Sequence, residues 1–167
     1  MKQDNSKDKL IKKYLKGKPE LNGMSGLKRI QLLETTVKDE LDYSYDNADL
    51  ASVVKEKAAN STGKMKLFTA IFNYWGEKYE LVLPTSRKYI PFLEENDNFL
   101  YIDHVMIYLP KYDVYLDAVS SYSFMDLIPS TYRENKAIFV KKIGINEFSS
   151  GAHYIDSIKP LDYKLNF

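Results

Sequence analysis

Two hydrophobic periods divide this chain, and the order in which they come limits its fold class. From Leu27 onward, Ile30, Leu33, Val37 and Leu41 recur at three and four residues. That spacing predicts a helix running to about Asp42, with one apolar face and one charged face. Asp46-Asn47-Ala48-Asp49 reads as a loop and N-cap for a short helix from Leu50 to Ala58, with Leu50, Val53 and Val54 inward. A third helix, Lys64 to Trp75, presents Phe68, Ile71, Phe72 and Trp75 as a bulky face and stops at Gly76. Beyond it the period changes to two. Tyr79 to Pro84, Leu100 to Leu109, Tyr112 to Ala118 and Ala137 to Lys141 are rich in branched and aromatic residues and read as strands. Helices first and strands afterwards predict an α+β domain, N-terminal helices packed on an antiparallel sheet, and not alternating βαβ units.

A length of 167 residues suits one such domain. We divide it into a basic arm and linker over 1–26, a core over 27–143, and C-terminal strands or a docking segment of the same domain over 144–167. The arm carries lysines at 2, 7, 9, 12, 13, 16 and 18 against Asp4 and Asp8. It reads either as a tether to an anionic surface or as a solvated linker or frayed helix, with Leu10, Ile11, Tyr14 and Leu15 as a narrow apolar stripe. Ser86 to Asn98 reads as a long surface loop. The tail from Ile145 alternates weakly, and its strands are expected at an edge or a docking face.

Composition narrows the chemistry. The chain has no cysteine, which excludes disulfides, thiolate-ligated metals and a cysteine nucleophile. His104 and His153 are the only imidazoles, so a three-histidine metal site cannot form, and no metal or cofactor is expected. Net charge is +1, which offers little long-range attraction to nucleic acid. The longest apolar stretches, such as Leu67 to Phe72, fall far short of the ~20 residues that span a bilayer. No apolar segment follows the N-terminal lysines, so no signal peptide is read.

The two clearest strands hold the one candidate catalytic pair. A tight hairpin about Pro110-Lys111 pairs Ile107 with Val114 and sets His104 directly opposite Asp117. A longer loop pairs Asp117 with Met106 and leaves His104 in diagonal reach. Either register permits a His–Asp dyad, and either permits a polar cross-strand pair with no chemistry attached.

The surroundings of this pair resemble a family. Ser61-Thr62-Gly63-Lys64-Met65-Lys66 is similar to the Gly-Asp-Cys-Lys-Asp-Lys helix start of bacterial transglutaminase-like domains of the papain-type superfamily. Ile102-Asp103-His104-Val105 resembles their Phe-Asn-His-Val strand, Tyr115-Leu116-Asp117 the strand that ends in the triad Asp, and Asp126-Leu127-Ile128-Pro129 a later Leu-Pro turn. The forms most alike occur in envelope-associated proteins of Bacteroidetes. The resemblance covers about Leu27 to Val140 and implies a Cys–His–Asp triad at positions 63, 104 and 117. Gly63 stands at the nucleophile position, so the triad is degenerate and the implied protein is a pseudoenzyme. It implies a periplasmic or envelope setting, flanking domains of a parent protein, and a residual cleft that takes a peptide, protein or glycan. Tyrosines in the loops Tyr43 to Tyr45 and Tyr89 to Phe92 and near Tyr122 are candidates for its rim, against their commoner use in core and strand packing. A cysteine restored at 63 would be expected to face His104. The alternative is a hydrolase or acyltransferase in which Ser61 or Thr62 replaces the thiol and a His104–Asp117 dyad serves it, against the commoner use of Ser and Thr as helix caps.

Overall fold

The computed structural model describes residues 5–86, 102–121, 123–125, 127–143 and 147–155. Helices α1 (Asn5–Lys16), α2 (Pro19–Asn22), α3 (Gly26–Glu40), α4 (Leu50–Glu56) and α5 (Ser61–Trp75) precede five strands: β3 (Glu80–Pro84), β4 (Met106–Leu109), β5 (Val114–Leu116), β6 (Lys136–Lys142) and β7 (Phe148–Tyr154). Two short strands, β1 (Asp42–Tyr43) and β2 (Ala58–Ala59), pair in parallel and tie the end of α3 to the start of α5. The large sheet has the order β5-β4-β3-β6-β7 and every neighbour is antiparallel. The α+β class with an antiparallel sheet is therefore the observed one.

The period-2 patterns explain how the sheet is covered. Leu81, Ile107, Leu109, Val114 and Leu116 point to one face and join Phe68, Ile71 and Phe72 of α5 and Ile30, Leu33 and Val37 of α3 in the main core. Val82, Met106, Tyr115, Ala137 and Phe139 point the other way and form a second cluster with Ile128 and Ile155. Phe68 and Phe72 are wholly inaccessible, and each such side chain contributes about 1.5–3 kcal/mol on burial. α5 is thus the central helix, and Gly76 closes it with a left-handed φ of 70°.

Three expectations need correction. Residues 5–16 are not a free arm: Ile11, Tyr14 and Leu15 are buried in the main core, because the narrow stripe is wide enough to dock on α5 while the lysines stay outside. Lys18 and the Tyr14 hydroxyl both bind Glu40 of α3, at 2.5 and 2.8 Å, which fixes that docking. Among the described residues, the strand expected from Leu100 to Leu109 is found over Met106–Leu109, with Ile102 making one isolated bridge to Thr85, while positions 100 and 101 lie outside the described residues. The hairpin takes the longer loop: Ile107 pairs with Leu116 and Leu109 with Val114, and Asp113 adopts φ 55° to close the turn. Most of the expected loop from Ser86 to Asn98, and the tail beyond Ile155, lie outside the described residues.

Candidate functional site

The longer hairpin register sets Asp117 one residue beyond β5 and His104 two residues before β4, on diagonal positions. His104 Nε2 lies 3.0 Å from Asp117 Oδ2. Asp117 is 3% exposed. Its other oxygen, Oδ1, accepts the backbone N–H groups of Val119 and Ser120 at 3.1 and 3.0 Å. Burial alone would raise the Asp117 pKa, but the His104 hydrogen bond, the Ser120 amide and the imidazole's charge outweigh it and hold the carboxyl below its ordinary value. An ionised carboxylate only accepts, so the Nε2 atom of His104 carries the proton and Nδ1 faces elsewhere. The imidazole lies flat against Tyr132, centroids 5.1 Å apart and planes inclined by 6°.

Three further charged side chains are buried in this region, none of them expected in the core from the sequence. Glu34 and Lys38 of α3 are 2% and 9% exposed and form an ion pair at 2.6 Å. Both follow a core residue (Leu33 and Val37), so they stand at the border of the apolar stripe, and the Glu-to-Lys i,i+4 spacing was the available signal. Glu34 accepts the Met125 N–H at 2.8 Å and Lys38 donates to the Ser123 carbonyl. Lys64, in the first turn of α5, is 3% exposed and donates to Ser121 Oγ at 3.2 Å. Burial lowers the Lys64 pKa, the charge of Lys38 adds to this, and Asp117 opposes it. Charged groups from α3, α5 and the end of β5 thus converge on residues 119–121 and 123–125.

The expected nucleophile positions are placed differently from the pair. Gly63 is buried, and a Cβ there would lie 2.6 Å from the Asn47 carbonyl oxygen, 2.9 Å from Val53 Cγ2 and 3.1 Å from Ala59 Cβ. Position 63 therefore looks into the packing of α4 and β2 and has no room for a thiol. The residue of α5 turned toward Asp117 is the next one, Lys64, as the roughly 100° step between neighbours on a helix requires. Ser61 and Thr62 are exposed at the helix start and make no hydrogen bond to His104 or Asp117. Neither caps the helix: that role falls to Asn60, whose side chain accepts the Gly63 N–H at 2.9 Å. Among the described residues, the small cavity beside Asp117, bounded by Met106, Tyr115, Phe124, Leu127 and Ile128, has no space for a water molecule. No group of three metal-ligating side chains occurs among the described residues, and no helix there is long and apolar enough to cross a membrane.

Fold and site together define an α+β domain in which a His–Asp couple joins the ends of β4 and β5 in a five-stranded antiparallel sheet, with the Lys64 charge of the central helix close to the aspartate. No protein-family model matches the chain, and no curated protein or solved structure is significantly similar to it.

Proposed function

We propose that this chain is a degenerate transglutaminase-like domain of the papain type that has no nucleophile and acts as a non-catalytic binding or structural module of an envelope protein. The observation that carries the reading is the 3.0 Å His104–Asp117 contact, next to a central helix that offers no thiol, in a chain without cysteine. Lys64, the residue after the degenerate nucleophile position 63, brings its charge close to Asp117. Its ammonium serves there as a charge partner for Asp117. The carboxylate is fully engaged, by one imidazole and two backbone amides, which suits an architectural pair. A peptide or glycan would bind at the same end of α5. Tyr43 and Tyr45 are 61% and 82% exposed there, in edge-to-face contact at 5.0 Å, with Asn60 donating to the Tyr45 carbonyl at 3.1 Å.

The test is turnover by the purified chain: amine incorporation into a glutamine-bearing acceptor protein, and hydrolysis of peptide and amide substrates. Rates equal to the buffer blank, unchanged in His104→Ala, are expected. Turnover that His104→Ala abolishes would overturn the proposal, and labelling of Ser61 or Thr62 by a fluorophosphonate would identify the substitute nucleophile.

A further inference from the structure

Strand β7 ends the sheet on one side, pairing with β6 in a single uninterrupted register from Lys136–Tyr154 to Lys142–Phe148. Its outer edge has no partner among the described residues. The ladder settles which backbone groups face that edge. Ile143 donates to the Glu147 carbonyl and Ile155 to the Asn135 carbonyl. Antiparallel pairs alternate between bonded and unbonded, so Ser149, Gly151 and His153 bond inward to Lys141, Phe139 and Ala137. The N–H and C=O groups of Phe148, Ser150, Ala152 and Tyr154 therefore point outward.

Sheet edges are ordinarily blunted by lysine, proline, a bulge or brevity. β7 reads Phe-Ser-Ser-Gly-Ala-His-Tyr, without lysine, arginine, acid or proline, and its register with β6 contains no bulge. The strand is also nearly symmetric about its middle residue, with Phe148 and Tyr154 at the two ends and small residues around Gly151. Both aromatics lie on the same face of the strand, six positions apart, and are 65% and 59% exposed.

We infer that β7 is a self-association edge, through which two copies of this chain pair antiparallel about a two-fold axis at Gly151. That register places Phe148 of one copy opposite Tyr154 of the other, and Ser150 opposite Ala152, each twice. These are the residues whose amides and carbonyls point outward, so each of those pairs exchanges two hydrogen bonds. Any other centre separates Phe148 from Tyr154. The two five-stranded sheets become one continuous sheet, and the interface is isologous, as a two-fold dimer requires. Edge pairing buries less surface than a standard interface, so the dimer is concentration-dependent. This inference stands apart from the transglutaminase-like reading and does not need it.

Sedimentation equilibrium of the full chain, from low to high micromolar concentration, tests it. The expected result is a mass that rises from 19.4 kDa toward twice that value. Ser150→Pro removes one outward amide and leaves the inward bonds of Ser149 and Gly151 intact, a place on an edge strand that proline tolerates. It should stay monomeric throughout with an unchanged melting temperature. Should that variant fail to fold, Ala152→Lys gives the same reading, because it places a charge on the edge without touching the backbone. A wild-type chain that is monomeric at every concentration would overturn the inference, as would a folded Ser150→Pro or Ala152→Lys variant that dimerises like wild type.

Discussion

Gly63→Ala separates a glycine kept for close packing from one that marks the slot of a lost side chain. In an ordinary helix interior this change stabilises by about 0.8–1 kcal/mol. Here the added methyl group meets the Asn47 carbonyl oxygen at 2.6 Å and Val53 Cγ2 at 2.9 Å, and overpacking of that kind costs about 1–3 kcal/mol. The carbonyl cannot withdraw freely, because it accepts the Asn60 N–H at 3.0 Å. Asn60 in turn caps α5, and losing its backbone bond costs about 0.5–1.5 kcal/mol more. The propensity gain roughly offsets the lost bond, which leaves a net destabilisation of about 1–3 kcal/mol. At about 2–4 °C per kcal/mol for a chain of this size, the melting temperature should fall by ~4–8 °C for a loss near the middle of that range. Gly23→Ala is the control: nothing lies within 4 Å of its Cβ position and its φ is −82°, so a gain of about 0.4–1 kcal/mol is expected. Calorimetry of both variants decides the matter. If Gly63→Ala melts at or above the wild-type temperature, position 63 opens into free space and the account of how α5 is turned is wrong.

Lys64→Cys puts a thiol in the first turn of α5, where the helix end favours thiolate, and the proposed function expects His104 to add to that effect. Its iodoacetamide alkylation should titrate below the ~8.5 of free cysteine and return toward it in the Lys64→Cys, His104→Ala double variant; profiles that coincide would count against the proposed transglutaminase-like site. The depressed Asp117 pKa sets the sign of the acid response. A carboxyl held lower in the folded chain than in the unfolded one adds stability above its unfolded value of ~3.9, and that contribution is lost as pH falls through the folded value. Urea midpoints followed downward from pH ~6 should therefore drop less steeply in Asp117→Asn than in wild type, with a remainder from Glu40, which its bonds to Lys18, Tyr14 and Lys57 hold low against burial; equal slopes would mean that Asp117 titrates alike in both states.

The features legible in the sequence were those set by local period. The apolar spacing of α3 and α5, the Asp49 cap, which accepts the Ser52 N–H at 3.0 Å, and the Gly76 stop all depend on neighbours within a turn or two. The His104–Asp117 contact was legible because either hairpin register brought the two within reach. The register itself was not: it depended on a four-residue loop closed by Asp113 at positive φ, and a non-glycine residue gives weak notice of that conformation. The docking of residues 5–16 and the direction of Gly63 were illegible for a different reason. Both depend on partners far away in the chain, namely Glu40 for the first helix, and Asn47 and Val53 for the glycine. A lysine-rich stretch looks solvated until the acceptor for Lys18 is known. The burial of Glu34, Lys38 and Lys64 was hidden in the same way, since charged residues seldom leave water unless something pairs them.

What pairs them also says why they are kept. A buried ion pair on its own is a poor source of stability, because desolvation commonly cancels the Coulomb gain. Residues 119–121 and 123–125, however, belong to neither helix nor strand, so their backbone groups have no ladder to bond to, and burying them without other partners would strand them. The charged side chains supply the missing partners. Asp117 takes the amides of Val119 and Ser120, Glu34 takes the amide of Met125, Lys38 meets the Ser123 carbonyl, and Lys64 meets the Ser121 hydroxyl. Each charge is thus offset twice, once by an opposite charge nearby and once by a polar group of the segment. Removing one of them leaves both a lone buried ion and an orphaned partner, whereas removing a surface lysine leaves neither. This arrangement commits Asp117 to holding loop and imidazole in place, as a carboxylate does whether or not the histidine it orients moves a proton. One carboxylate thereby fastens the end of β5 to the imidazole before β4 and to the loop that follows, with the Lys64 charge of α5 close by.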